Sequence, residues 1–196
     1  YDNKQLKINV CPKGGGDTDD KDNKINPEGK EICDDLDNDS DGLTDEGCDD
    51  DKDTYCDTEM IVVGKPKSCI LGKGDCNDAN VKINPGVKED CSTTADDNCN
   101  GDSNDIGAVG CKPFFYDGDK DKWGTNASQC LCVGKAPYDA VNPGDCQDNN
   151  AKVNPAAVEV CNDLDDNCSG TADTGCDDDG DKYCDAGLTI VGTPKV

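Results

Sequence analysis

Apolar residues occur in short runs separated by long polar, Asp-rich stretches, so regular secondary structure is expected to be sparse. Two apolar runs rich in β-branched residues, Met60 to Val63 and Leu188 to Val191, suit short strands. Asn26-Pro27, Asn84-Pro85 and Asn154-Pro155 each set a good N-cap before a good first helical residue. Short helices of about two turns are predicted after them, clearest over Pro155 to Asp163, where Ala-Ala-Val-Glu-Val favours helix. Phe114, Phe115 and Trp123 read as a small packing patch, and the remainder as loop.

The chain repeats itself. Gly16 to Cys33 (GDTDDKDNKINPEGKEIC) aligns without gaps on Gly74 to Cys91 (GDCNDANVKINPGVKEDC) and on Gly144 to Cys161 (GDCQDNNAKVNPAAVEVC). Each copy runs into an Asp- and Asn-rich loop and closes at a further cysteine, Cys48, Cys111 or Cys176. Acidic spacers separate the copies: CDDDKDTYC from Cys48 matches CDDDGDKYC from Cys176, and YDGDKDKWG from Tyr116 is a divergent version. A fixed period of this kind marks an array of like units. The predicted modules are 1–48, 69–111 and 132–176, with spacers at 49–68, 112–131 and 177–196. The last spacer opens a further unit, because Cys184 to Val196 follows Cys56 to Ser68 up to the residue before Cys69.

The copies also pair the cysteines. Thr18 stands where the later copies have Cys76 and Cys146, and Ser40 stands where they have Cys99 and Cys168. Two slots lost together are expected of a bonded pair, which gives Cys76–Cys99 and Cys146–Cys168. The remaining slots then pair as Cys33–Cys48, Cys91–Cys111 and Cys161–Cys176, with Cys56–Cys69 inside the first spacer. Cys11, Cys130, Cys132 and Cys184 are left over; a Cys130–Cys132 bridge is disfavoured by strain. Cys184 of one chain and Cys11 of the next are candidates for a bridge between subunits. Soft-metal binding by the cysteines is set aside, since CxxC knuckles and histidines are both lacking.

Composition explains why such staples are needed. With 33% hydrophobic and 4% aromatic residues, the chain has too little apolar surface to offset its ordering entropy. Sixteen cysteines in 196 residues match a secreted scaffold in which cross-links replace a core, and they imply an oxidising compartment. A formal charge of −25 argues against nucleic acid as partner and points to cations. No apolar run reaches the roughly 20 residues of a membrane span.

The acids are spaced for cations. Asp37, Asp39, Asp41 with Gly42, Asp96, Asn98, Asn100 with Gly101, and Asp165, Asn167, Ser169 with Gly170 repeat the first half of an EF-hand-type calcium loop. Alternate oxygens turn inward and the sixth-place glycine permits the sharp turn. The spacers add Asp49, Asp51, Asp53; Asp117, Asp119, Asp121; and Asp177, Asp179, Asp181. The opening segments add Asp17, Asp20, Asp22; Asp75, Asp78, Asn80; and Asp145, Asp148, Asn150, expected to complete neighbouring shells. Glu31, Glu89 and Glu159 are expected to close the sites as bidentate ligands. A merely solvated acidic surface would not alternate its acids, or return glycine at the sixth place. Several Ca²⁺ ions, roughly six to nine, would cancel roughly 12 to 18 of the negative charges and make folding metal-dependent.

Asn38 and Asn126 open sequons and are candidate glycan acceptors, Asn38 from an outward-facing second loop position. No catalytic constellation is found: histidine is absent, and a carboxylate held ionised by a cation cannot act as an acid, so no enzymatic activity is expected.

The unit GDC(N/Q)D, (I/V)NP, ExC and an Asp/Asn-rich loop ending in Gly, present from Gly16 to Cys176, resembles the MopE-type metal-binding repeats of secreted and surface bacterial proteins. Copper, for which that family is named, is not carried over, because the resemblance implies a copper site built on histidines and this chain has none. The spacer loops are similar to thrombospondin type 3 repeats, whose likeness implies an irregular, ion-cored rod. The expected fold is thus a small, disulfide-rich, calcium-stabilised repeat protein, an elongated rod of irregular loops with short helices and short β-strands. The expected function is an extracellular calcium-binding structural protein, subunit of a filament or surface stalk, whose partner is itself, head to tail. The alternatives are a calcium-dependent adhesin or partner-binding module, and a metal-sequestering surface protein.

Overall fold

The computed structural model describes residues 13–195. The chain divides into two compact units: one runs to Val87 and takes in Asp96–Gly101, and the other comprises Lys88–Ala95 and the chain from Asp102. The second sequence copy is therefore divided between them.

No described residue is helical, which corrects the helices expected after the Asn-Pro pairs. The asparagines do cap, but each caps a single turn. Asn26, Asn84 and Asn154 accept through Oδ1 from the amides of Glu28, Gly86 and Ala156, and their carbonyls accept from Gly29, Val87 and Ala157. The chain is then drawn straight: Cys33 N donates to Ile61 O and Val63 N to Cys33 O, and Cys161 makes the same pair of bonds with Thr189 and Val191. Bonds to a distant segment replace the i to i+4 bonds that would continue a helix. The two predicted strands shrink to the single-residue bridges Cys33↔Val62 and Cys161↔Ile190.

Strands form elsewhere, and all are short. In the first unit β1 (Tyr55–Asp57) pairs in parallel with β2 (Gly72–Asp75). In the second, β3 (Lys112–Tyr116) is flanked by antiparallel β5 (Ser128–Leu131) and β6 (Tyr138–Ala140), while β4 (Trp123–Gly124) pairs in parallel with β7 (Asn142–Pro143). Tyr116 and Tyr138 meet edge to face, ring centres 5.6 Å apart. In repeat register β1–β2 and β4–β7 are the same contact: the strand leaving a spacer loop lies beside the strand entering the next opening segment.

Sulfur fills much of the interior. Cys33, Cys48, Cys56 and Cys69 form one buried cluster, against which Met60 and Val62 pack. The structure contains Cys33–Cys48, Cys56–Cys69, Cys76–Cys99, Cys146–Cys168 and Cys161–Cys176. The expected Cys91–Cys111 bridge is absent: Cys91 joins Cys132, and Cys111 joins Cys130. The cause is β5. This strand runs alongside β3, bringing Cys130 opposite Pro113, two residues along from Cys111 and on the same side of the chain, while two residues on Cys132 leaves the extended chain on the same side. A Cys-x-Cys strand is thereby inserted between two half-cystines that are bonded directly in the other copies. Cys184 is the free cysteine among the described residues; Cys11, its expected partner across subunits, lies outside them.

Candidate metal centres

The three repeat loops close on themselves through their first acid. Asp37 accepts from the amides of Asp41 and Gly42, Asp96 from Asn100 and Gly101, and Asp165 from Ser169 and Gly170, at 2.7–3.1 Å. The third-place oxygens of Asp39, Asn98 and Asn167 accept from the same fifth-place amides. Gly42, Gly101 and Gly170 have φ of +98°, +92° and +95°, the left-handed backbone expected of the sixth place. Oxygens of Asp37, Asp39 and Asp41 come within 4.8 Å of one another, and a second group joins Glu31, Asp39 and Glu46. Ser169 donates its hydroxyl to Thr171 O.

Two sequence expectations change here. Glu31 accepts the amides of Asn38, Asp39 and Asp45, and Glu159 those of Asp166, Asn167 and Asp173. A carboxylate holding three amides organises the loop from inside and retains one lone pair, not the two oxygens of a bidentate ligand. Glu89 is 2% exposed. The second place faces inward rather than outward: Asn38 is 4% exposed and its Oδ1 accepts from Ile32, while Asp166 accepts from Val160. Asn38 is therefore a poor glycan acceptor; Asn126, between β4 and β5, is exposed.

A ninth-place side chain, overlooked in the sequence, anchors each loop to a half-cystine. Asp45 accepts from Asp34 and Asp35, Asp173 from Asn162 and Asp163, and Asn104 from Cys132 and Val133. In the second copy this anchor has moved together with the disulfide. The recurrence of Asp, Asn and Asp at that place was the available signal. Glu46, one residue further on, was also overlooked; Asp105 shares its place but Thr174 does not.

The spacer loops follow the same plan. Asp49 accepts from Asp53 and Thr54, Asp117 from Lys120 and Lys122, and Asp177 from Gly180, Asp181 and Lys182. Oxygens of Asp49, Asp51 and Asp53 converge within 4.8 Å, and Asp51 also converges with Asp75 and Asp78 of the following opening segment. Asp78 accepts from Asp50 N at 3.0 Å, and its counterpart Asp148 from Gly118 N at 2.9 Å. Asn80 and Asn150 donate their main-chain amides to Asn77 O and Gln147 O, and their side-chain oxygens accept local amides from Lys82 and Lys152. In the first copy Asp17, Asp20 and Asp22 are exposed, Asp17 and Asp22 capping local turns.

Electrostatically these groups are uncomfortable as they stand. Side-chain oxygens of Glu46, Asp51, Asp53, Asp75, Asp119 and Asp145 are buried without a hydrogen-bond partner. Ion pairs among the described residues are Lys13–Glu28, Lys67–Asp35 and Lys135–Asp102, none of which reaches these acids. Burial, followed by the charge of neighbouring acids, raises the carboxyls of Asp51 and Asp119. Burial also raises Asp75 and Asp145, against the pull of one amide each, and pushes Asp78 up to about 6. Glu46 is raised for the same reason, with Glu31 and the loop acids adding to it.

Three stretches, 17–46, 75–105 and 145–174, match the Cu-binding MopE family model, described as a "Putative metal-binding motif". No curated protein and no solved structure matches the chain. No helix of the described residues is long and apolar enough to cross a membrane. Three stretches that match the MopE-type motif thus recur along this chain, each carrying disulfide-bonded cysteines.

Proposed function

We propose that the chain is an extracellular calcium-binding structural protein, the subunit of a filament or surface stalk, in which cations and disulfides together replace an apolar core. The observation that carries this proposal is the gathering of carboxylate trios, Asp37–Asp39–Asp41 and Asp49–Asp51–Asp53, with no lysine of the described residues paired to them. Like charges held that close repel unless a cation lies between them. The donors are carboxylate, amide and hydroxyl oxygens, the set that suits a hard ion. Many protein oxygens in flexible loops favour Ca²⁺ over Mg²⁺, which keeps its waters and demands a strict octahedron. Copper prefers imidazole or sulfur; histidine is absent, and every cysteine of the described residues except Cys184 is in a disulfide. The seven disulfides of the described residues fit an oxidising, extracellular setting.

Head-to-tail assembly is supported by two exposed acidic loops of complementary kind. Asp17 and Asp20 form an opening segment, and Asp177, Asp179 and Asp181 form a spacer loop whose counterparts elsewhere in the chain meet an opening segment. A contact of this type does not close on itself and generates a fibre. The test is protease resistance and circular dichroism in calcium and in EDTA, with electron microscopy of the calcium form. Resistance lost on chelation and restored by calcium is expected; resistance unchanged by EDTA would remove calcium from the function.

A further inference from the structure

We infer that the tightest cation sites of this protein lie not within the repeat motif but at two composite sites, each shared between a spacer loop and the opening segment of the next repeat. This rests on the calcium reading above. The first site gathers Asp49, Asp51, Asp53, Asp75 and Asp78; the second is its aligned counterpart, Asp117, Asp119, Asp121, Asp145 and Asp148, joined by the Gly118–Asp148 bond and the β4–β7 pair, with Asp121 also accepting from the Asn154 side-chain amide. Only the opening-segment acids fall inside the motif matches, so neither site is covered by one match.

Asp75 and Asp145 identify the ligand as a cation. Asp75 is 0% exposed and Asp145 7%. Each spends Oδ1 on an amide, of Asn77 or Gln147 at 2.7 Å, and each leaves Oδ2 buried with no partner. In the first site Asp51 and Asp53 present buried, partnerless oxygens as well, and in the second Asp119 does. A buried anionic oxygen without a donor is costly, and several turned toward one another are more so, unless a cation satisfies them together. The scaffold fits such a role. The β1–β2 and β4–β7 pairs fix each spacer beside its opening strand, and the Asp50–Asp78 and Gly118–Asp148 bonds lock the next turn.

The third spacer loop is an internal control. Asp177, Asp179 and Asp181 make the same local amide bonds as the other two, but Asp179 and Asp181 are exposed and no opening segment of the described residues lies on them. Local turn geometry is thus held constant while the shared acids are removed. Ligand charge and rigidity set affinity in oxygen sites, so this loop binds more weakly.

Terbium, a calcium-sized probe, reads the second site through Trp123, the single tryptophan, whose amide donates to Asp121. In the full chain, Trp-sensitised emission should saturate in the tightest phase of the titration. Asp145→Asn and Asp119→Asn should each weaken that phase by about tenfold or more. Asp165→Asn in a motif loop should alter a weaker phase, and Asp139→Asn, at an exposed acid of β6 outside the sites, should leave every phase unchanged. For the first site, Asp75→Asn should remove one tight calcium ion in equilibrium dialysis. Free-thiol counts establish that each variant keeps its disulfides; if Asp145→Asn loses them, Asp119→Asn carries the test. Calcium binding with wild-type tight phases in the spacer variants overturns the composite sites and leaves the calcium reading standing. Absence of binding to the wild-type chain overturns both.

Discussion

Thr18 and Ser40 show how closely one copy substitutes for another. Their hydroxyls lie 3.0 Å apart, and Thr18 N meets Ser40 Oγ at 3.4 Å. In the later copies the amides of Cys76 and Cys146 meet Sγ of Cys99 and Cys168 in the same way. A hydrogen bond therefore occupies the place of a covalent bond, and the backbone around it is already shaped for sulfur. The double variant Thr18→Cys/Ser40→Cys should form a third bridge of this type and stabilise the calcium-loaded protein by about 3 kcal/mol, through restriction of the unfolded chain. Thiol titration and the urea midpoint read this out; a variant with two new free thiols and an unshifted midpoint would count against the equivalence. Ser40, Cys99 and Cys168 also share a positive φ, of +63°, +59° and +54°, so the turn is common to all three whatever its side chain.

At the scale of elements, the spacer loop with its opening segment behaves as a charge trap whose sign of response depends on the ion. In metal-free protein, burial raises Asp78 from 3.8 to about 6, and raises Asp51, Asp75, Asp119 and Asp145 above the ordinary range. A carboxyl raised in the folded state binds its proton more tightly there than in the unfolded chain. Its stabilising contribution is complete below about pH 4 and is lost as the pH rises through about 6. In EDTA, then, the urea midpoint should fall between about pH 4.5 and about pH 7. In saturating calcium the slope should reverse, because protons compete with the ion for the same oxygens. Parallel slopes in the two conditions would mean that these acids do not hold the ion.

For the whole molecule, 44 acids face 19 bases, and the formal charge of −25 sets the state of the apo chain. With disulfides intact but cations removed, self-repulsion should swell it. The hydrodynamic radius in EDTA at low ionic strength is expected to exceed that in calcium. Salt near 1 M, where screening acts over about 3 Å, should reverse part of the expansion without restoring protease resistance. Equal radii in calcium and EDTA at low salt would show that repulsion is not what the ions overcome.

What the amino-acid order determined by itself is short in range. The sixth-place glycines, the acid alternation and the caps at Asn-Pro are bonds over two to five residues, written into each copy and repeated. The Cys76–Cys99 and Cys146–Cys168 pairs could be read because three copies stand side by side in one chain. The tertiary structure decided the rest: the exchange of Cys91–Cys111 for bridges to Cys130 of β5 and Cys132 just past it, the turn of Glu31 and Glu159 toward loop amides, and which loop acid, Asp51, the expected shell-completing Asp75 and Asp78 join. Each of these depends on which distant strand lies alongside. A local pattern fixes where an oxygen or a sulfur points, while its partner is chosen by the segment that arrives beside it.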